Sequence, residues 1–100
     1  MIMSEQDSGR TVQIRMGEVI TLNLKENPTT GYQWSVTTAE GLEQIRNYFE
    51  VREGIGAAGV HEFQFRATKA GSHSLSLKHW RTWEGEGSVI GHFVATVVVE

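Results

Sequence analysis

The chain has no cysteine, a single proline, no surplus of positive charge and no long apolar run, and each lack removes a class of function. Without cysteine there is neither a disulfide nor a thiol nucleophile, so any fold must be held by packing alone. A formal net charge of −3 and a pI near 5.8 leave no basic field to neutralise a phosphate backbone, which sets nucleic acid aside as a partner. No window approaches the roughly 20 apolar residues of a spanning helix. The most apolar stretch, Val89 to Val99, is interrupted by His92, so no membrane contact is expected. Residues 1–10 are polar after Ile2 and Met3 and carry no apolar signal-peptide core. That points to a cytoplasmic protein or to a processed secreted or periplasmic form.

What is present is alternation. Apolar residues recur with period two, and β-branched and aromatic types dominate the alternating positions, which predicts an all-β protein. Val12 and Ile14 mark a first strand; Ile20, Leu22 and Leu24 mark the inward face of a second, after a turn at Gly17 and Glu18. Asn27-Pro28-Thr29-Thr30-Gly31 breaks the pattern, because proline cannot donate to a ladder and glycine can supply a positive φ. Tyr32, Trp34 and Val36 give the next inward face. Leu42 and Ile45, three apart, suggest one helical turn or an irregular crossover between Thr38 and Asn47. Phe49 and Val51 mark a short strand, residues 54–59 a glycine loop, Phe63, Phe65 and Ala67 another strand, and Leu75 and Leu77 the next. A second glycine-bearing loop, residues 80–87, leads to a last strand with Phe93, Ala95, Val97 and Val99.

About seven short strands separated by turn signals are what an immunoglobulin-like sandwich requires, here without a disulfide. One hundred residues suit one core, so the expected organisation is a flexible N-terminal segment, 1–10, and a single domain, 11–100. If successive strands run up and down, the proline loop, the glycine loop and the tryptophan loop emerge at the same end. The three most unusual segments then share one edge.

Catalytic and metal readings fare poorly against these patterns. Gly54, Gly56 and Gly59 fit G-x-G-x-x-G, but a strand pattern follows them where dinucleotide binding needs a helix. His73 and His79 share a strand face yet lie about 20 Å apart along an extended chain, too far to bind one ion. Ser72, Ser74 and Ser76 alternate along a strand with no sharp nucleophile turn. No enzyme activity, metal or cofactor is expected. Asn27-Pro28-Thr29 fails as a glycosylation sequon because proline holds the middle position. Of the three tryptophans, Trp34 suits the core and Trp80 a half-exposed place on its sheet. Trp83, among Arg81, Glu84, Gly85 and Gly87, has the setting of an exposed binding anchor.

Asn27-Pro28-Thr29-Thr30-Gly31-Tyr32, Gly54-Ile55-Gly56-Ala57, His61-Glu62-Phe63 leading to Ala67-Thr68-Lys69-Ala70-Gly71, and Arg81-Thr82-Trp83 follow one another in an order and spacing that resemble the chagasin family of cysteine-peptidase inhibitors. The resemblance runs from the second strand to the last. It implies an immunoglobulin-like fold whose three loops at one end fill the cleft of papain-like enzymes. Asn27, Pro28, Thr29, Thr30, Gly31 and Tyr32 would cross the catalytic centre, with Thr29 and Thr30 nearest to it. Gly54, Ile55, Gly56 and Ala57 would shape one flank, and Arg81, Thr82 and Trp83 would grip the other. Two positions depart from the family pattern: Thr82 stands where proline is usual, and Ala57 where a second adjacent glycine is usual. Neither removes an anchor, so altered affinity or specificity is implied rather than lost function.

The resemblance thus implies reversible occlusion of a papain-like cysteine peptidase by a chain that is monomeric when free. The competing readings are a carbohydrate-binding module stacking a sugar on Trp83 and Trp80, and an adhesive immunoglobulin-like domain pairing through an edge strand.

Overall fold

The computed structural model describes residues 1–51 and 59–100. Eight strands form among them: β1 (Ile2–Ser4), β2 (Thr11–Ile14), β3 (Val19–Glu26), β4 (Gln33–Ala39), β5 (Leu42–Val51), β6 (Gly59–Ala67), β7 (Gly71–Trp80) and β8 (Gly91–Val99). They make two four-stranded sheets, ordered β1-β3-β6-β5 and β2-β8-β7-β4. The first order, and the run β4-β7-β8 in the second, reproduce the ABED and CFG sheets of an immunoglobulin-like sandwich, with β2 added alongside β8.

Alternation explains the core. Ile20, Leu22 and Leu24 of β3, Phe63 and Phe65 of β6, and Leu75 and Leu77 of β7 are completely buried between the sheets, and Phe93 and Val97 of β8 join them. Each such side chain contributes about 1.5–3 kcal/mol through removal from water, which is what holds the sandwich in place of a disulfide. Trp34 lies at one end of this core. Its ring stacks on His79 at 4.6 Å, and its indole N–H donates to the Lys25 carbonyl at 3.0 Å.

Two segments differ from the sequence reading. Residues 1–10 are not a tail outside the domain: β1 pairs in parallel with Thr21–Asn23, and Met3 is buried in the core. Three residues are too few to show a period, so only the neighbouring strand reveals the pairing. The stretch expected as a helical turn or crossover is a tight turn at Gly41, with φ of 75°, followed by the ten-residue strand β5. Its register against β6 shifts between Gln44 and Arg46. Ile45 is the residue passed over there, and it is exposed whereas Leu42 is buried, so their spacing of three does not mark one helical face.

Candidate inhibitory edge

β3 runs to Glu26, and the chain then turns through one 3-10 turn, Pro28–Thr30, before β4. Asn27 caps that turn: its Oδ1 accepts the Thr29 backbone N–H at 3.1 Å and the Thr29 hydroxyl at 2.7 Å, while the Thr30 hydroxyl donates to the Asn27 carbonyl at 2.8 Å. Pro28 occupies the first position, where its missing N–H costs nothing and its fixed φ suits the turn. Gly31 ends it with φ of 80°, a conformation that a side chain disfavours. The sequence therefore encodes a short wedge braced by its own side chains. Asn27, Pro28, Thr29 and Thr30 are all exposed at its tip.

The tryptophan loop contacts this wedge directly. Arg81 donates from Nε at 3.0 Å and Nη2 at 2.9 Å to the Thr30 carbonyl, and from Nη1 at 2.8 Å to Glu84. Its guanidinium lies 4.3 Å from the centre of the Tyr32 ring. The hydrogen bond to Glu84 raises the Arg81 pKa further above its usual value, so this strut keeps its charge. Ser88 ties the loop to itself, accepting the Arg81 N–H at 3.0 Å and facing the Arg81 and Gly85 carbonyls at 2.9 and 2.7 Å. Thr82 is exposed, and Trp83 is 68 % exposed although its ring edge lies against Gly31. A recess of about 300 Å³ opens between the loops, lined by Glu26, Pro28, Gly31, Tyr32, Gln33 and Trp83.

Of the residues singled out in the sequence, Asn27, Pro28, Thr29, Thr30, Gly31, Tyr32, Arg81, Thr82 and Trp83 are brought to one end of the sandwich. Gly54, Ile55, Gly56 and Ala57 lie outside the described residues. The strand ends that flank them are at the same end, since Gly59 pairs with both Val51 and Glu26, the residue before the wedge. Arg81 is placed between the loops, with its guanidinium engaged by Thr30, Glu84 and Tyr32. Trp80 stays on the sheet, bonded to Ser35 at 3.0 Å and covered by the Lys78 ammonium 3.5 Å from its ring centre.

Beneath the edge lies a polar group that the apolar pattern passed over. Glu26 and His61 are 7 % and 8 % exposed, and Glu26 Oε1 lies 3.0 Å from His61 Nδ1. The signal was available: Glu26 continues the inward series Ile20, Leu22, Leu24, and His61 precedes the inward Phe63, Phe65 and Ala67. His79, wedged against Trp34, has its Nε2 buried without a partner among the described residues. Burial lowers its pKa, against the opposing pull of Glu26 and of the Tyr32 backbone. Among the described residues no group of three potential ligands could hold a metal.

The chain matches the family described as "Chagasin family peptidase inhibitor I42" over residues 13–97. It is 33% identical over 86 residues to Amoebiasin-1 of Entamoeba histolytica, covering 83% of this chain and 84% of that protein. Its fold is similar to the crystal structure of a cysteine protease inhibitor from Entamoeba histolytica, with a TM-score of 0.86, 22% identity, and 99% and 93% of the two chains covered. It is also similar, at a TM-score of 0.65 and 14% identity over 93% and 91% of the chains, to PbICP-C in its complex with falcipain-2. With its loop motifs gathered at one end of an immunoglobulin-like sandwich and the family match spanning most of its length, the chain belongs to the chagasin family of cysteine-peptidase inhibitors and is an inhibitor, not an enzyme.

Proposed function

We propose that this chain is a reversible, tight-binding inhibitor of papain-like cysteine peptidases, which it occludes by inserting the loop edge of the sandwich into the active-site cleft. Residues 27–32 form the centre of that edge. Arg81, Thr82 and Trp83 form one flank, and the family resemblance assigns to Gly54, Ile55, Gly56 and Ala57, which lie outside the described residues, the role of the other. The acting unit is the whole sandwich, residues 1–10 included through β1.

The observation that carries this reading is the Arg81 fork on the Thr30 carbonyl. It joins the wedge and the tryptophan loop before any partner arrives, so less loop-ordering entropy is lost on binding. Trp83, its ring edge seated on Gly31, still leaves 68 % of its surface exposed as an aromatic anchor, a residue type enriched among those that dominate interface energy. A standard protease–inhibitor interface buries about 1,600 Å² in total, which an edge of three loops can cover. That the structurally similar PbICP-C is in complex with falcipain-2 supports a peptidase as partner. Resistance to cleavage follows from the turn, because Pro28 and Gly31 hold the chain away from the extended form a peptidase cleaves. A sugar platform built on Trp83 and Trp80 finds no support, since Lys78 covers the Trp80 ring.

Titration of papain with the purified protein, read with a fluorogenic substrate, tests the proposal. Activity should fall in proportion to inhibitor added and return on dilution, with the inhibitor recovered intact. Papain activity untouched at micromolar inhibitor, or an inhibitor cut between Thr29 and Thr30 and then inactive, would overturn it.

A further inference from the structure

Glu26 and Trp34 bracket the wedge but stand on strands of different sheets, so no ladder bond joins the chain where the loop leaves and returns. The neck of the loop is closed by side chains instead. Glu26 Oε1 accepts the Trp34 backbone N–H at 2.7 Å, and the Trp34 indole donates to the Lys25 carbonyl at 3.0 Å. The same carboxylate oxygen engages His61 Nδ1 at 3.0 Å, and His61 Nε2 reaches Asn47 on β5. His61 is held in place by stacking on Phe63, with ring centres 4.2 Å apart. One buried carboxylate thus draws β3, β5 and β6 of one sheet together with β4 of the other, directly under the loop.

Packing alone does not account for such a group. Burying a carboxyl group carries a desolvation cost that an apolar residue at this inward position would avoid. What an apolar residue could not do is accept the Trp34 N–H across the gap between the sheets. We propose that Glu26 is the positioning residue of the inhibitory edge, closing the neck of the 27–33 loop, with His61 orienting its carboxylate. The inference rests on the reading of residues 27–32 as the segment that enters the peptidase cleft. An open neck lets residues 28–30 relax toward an extended chain, which raises the ordering cost of binding and exposes a cleavable backbone.

Glu26→Leu, Glu26→Gln and His61→Phe in the full chain test this, with papain as the probe and thermal melts in parallel. Glu26→Leu should weaken inhibition about tenfold or more and be cut within residues 28–31 on long incubation. Glu26→Gln keeps an oxygen acceptor in place, so it should stay intact and within about threefold of the parent. His61→Phe keeps the stack and loses the bond, and should fall between them. A folded Glu26→Leu protein that inhibits as tightly as the parent and emerges intact overturns the proposal, as does a Glu26→Gln protein no better than Glu26→Leu. Should Glu26→Leu not fold, undiminished inhibition by His61→Phe overturns it. Amide hydrogen exchange reads the neck without a peptidase: exchange at Trp34 should quicken at least about tenfold in Glu26→Leu, or in His61→Phe where the leucine variant does not fold. Unchanged exchange in the folded variant overturns the proposal even if papain is not the target, whereas a parent protein inert toward papain counts against the functional reading alone.

Discussion

Gly31 and Trp83 pack so closely that a Cβ on Gly31 would lie 2.7 Å from Cη2 of the tryptophan ring. The contact joins the wedge to the tryptophan loop by absence of a side chain, alongside the Arg81 fork. Gly31→Ala adds a steric overlap to a backbone held at φ of 80°. The variant should lose affinity for papain by about tenfold or more, with only a modest fall in melting temperature, because the wedge is exposed and remote from the core. Inhibition equal to that of the parent would show that the two loops need not be in register.

Trp83 and Trp34 should divide affinity and stability between them. Trp83 is 68 % exposed, so Trp83→Ala should weaken inhibition by roughly 2 kcal/mol or more, about thirtyfold, and leave the melt nearly unchanged. Trp34 is 8 % exposed, stacked on His79 and bonded to Lys25, so Trp34→Ala should destabilise the fold by about 3–5 kcal/mol. A Trp83→Ala protein that melts as early as Trp34→Ala and inhibits normally where folded would remove the tryptophan loop from the mechanism.

Thr82→Pro should tighten binding or raise stability, for a gain of about 0.4–1 kcal/mol through a narrower unfolded and unbound ensemble. The local backbone is prepared for it. Thr82 opens the 3-10 turn Thr82–Glu84, and the preceding Arg81 sits at φ −101°, ψ 112°, in the extended region that proline demands of its neighbour. A loss in both melting temperature and affinity would show that the turn relies on a freer φ at this position.

His79 should make stability depend on pH. Burial, the largest influence, lowers its pKa from 6.5, while Glu26 and the Tyr32 backbone pull the other way. A base whose folded pKa is depressed contributes stability that is present above its unfolded value and lost as pH falls through the folded value. The melting temperature should therefore drop as pH falls below about 6.5, and the drop should be smaller in His79→Phe, which keeps an aromatic ring against Trp34 and cannot take a proton. Matching slopes in the two proteins would place the pH dependence on other groups.

Much of the fold was legible because burial on one face of a strand forces period two. Ile20, Leu22 and Leu24, then Phe63 and Phe65, then Leu75 and Leu77 name their own inward face. Wedge chemistry was legible for a similar reason, since Asn27, Pro28 and Gly31 act on backbone within a few residues of themselves. Trp83 could be read as exposed from its polar and glycine neighbours alone.

What could not be read depends on partners far along the chain. Leu42 and Ile45 read locally as a helical turn, and only the register of β5 against β6, which passes over the exposed Ile45, shows a strand. Met3 looks like part of a tail until Leu22 is beside it. Glu26 and His61, 35 residues apart, interrupt the apolar rule at inward positions, and nothing local says that each shields the other from the cost of burial. The sequence by itself determined alternation, turns and the composition of the loops, because those are short-range effects of side-chain shape and backbone freedom. Tertiary structure decided that Arg81 reaches Thr30, that Trp83 lies on Gly31 and that a buried carboxylate closes the neck of the wedge, because each needs two strands to be placed side by side before either residue has anything to bind.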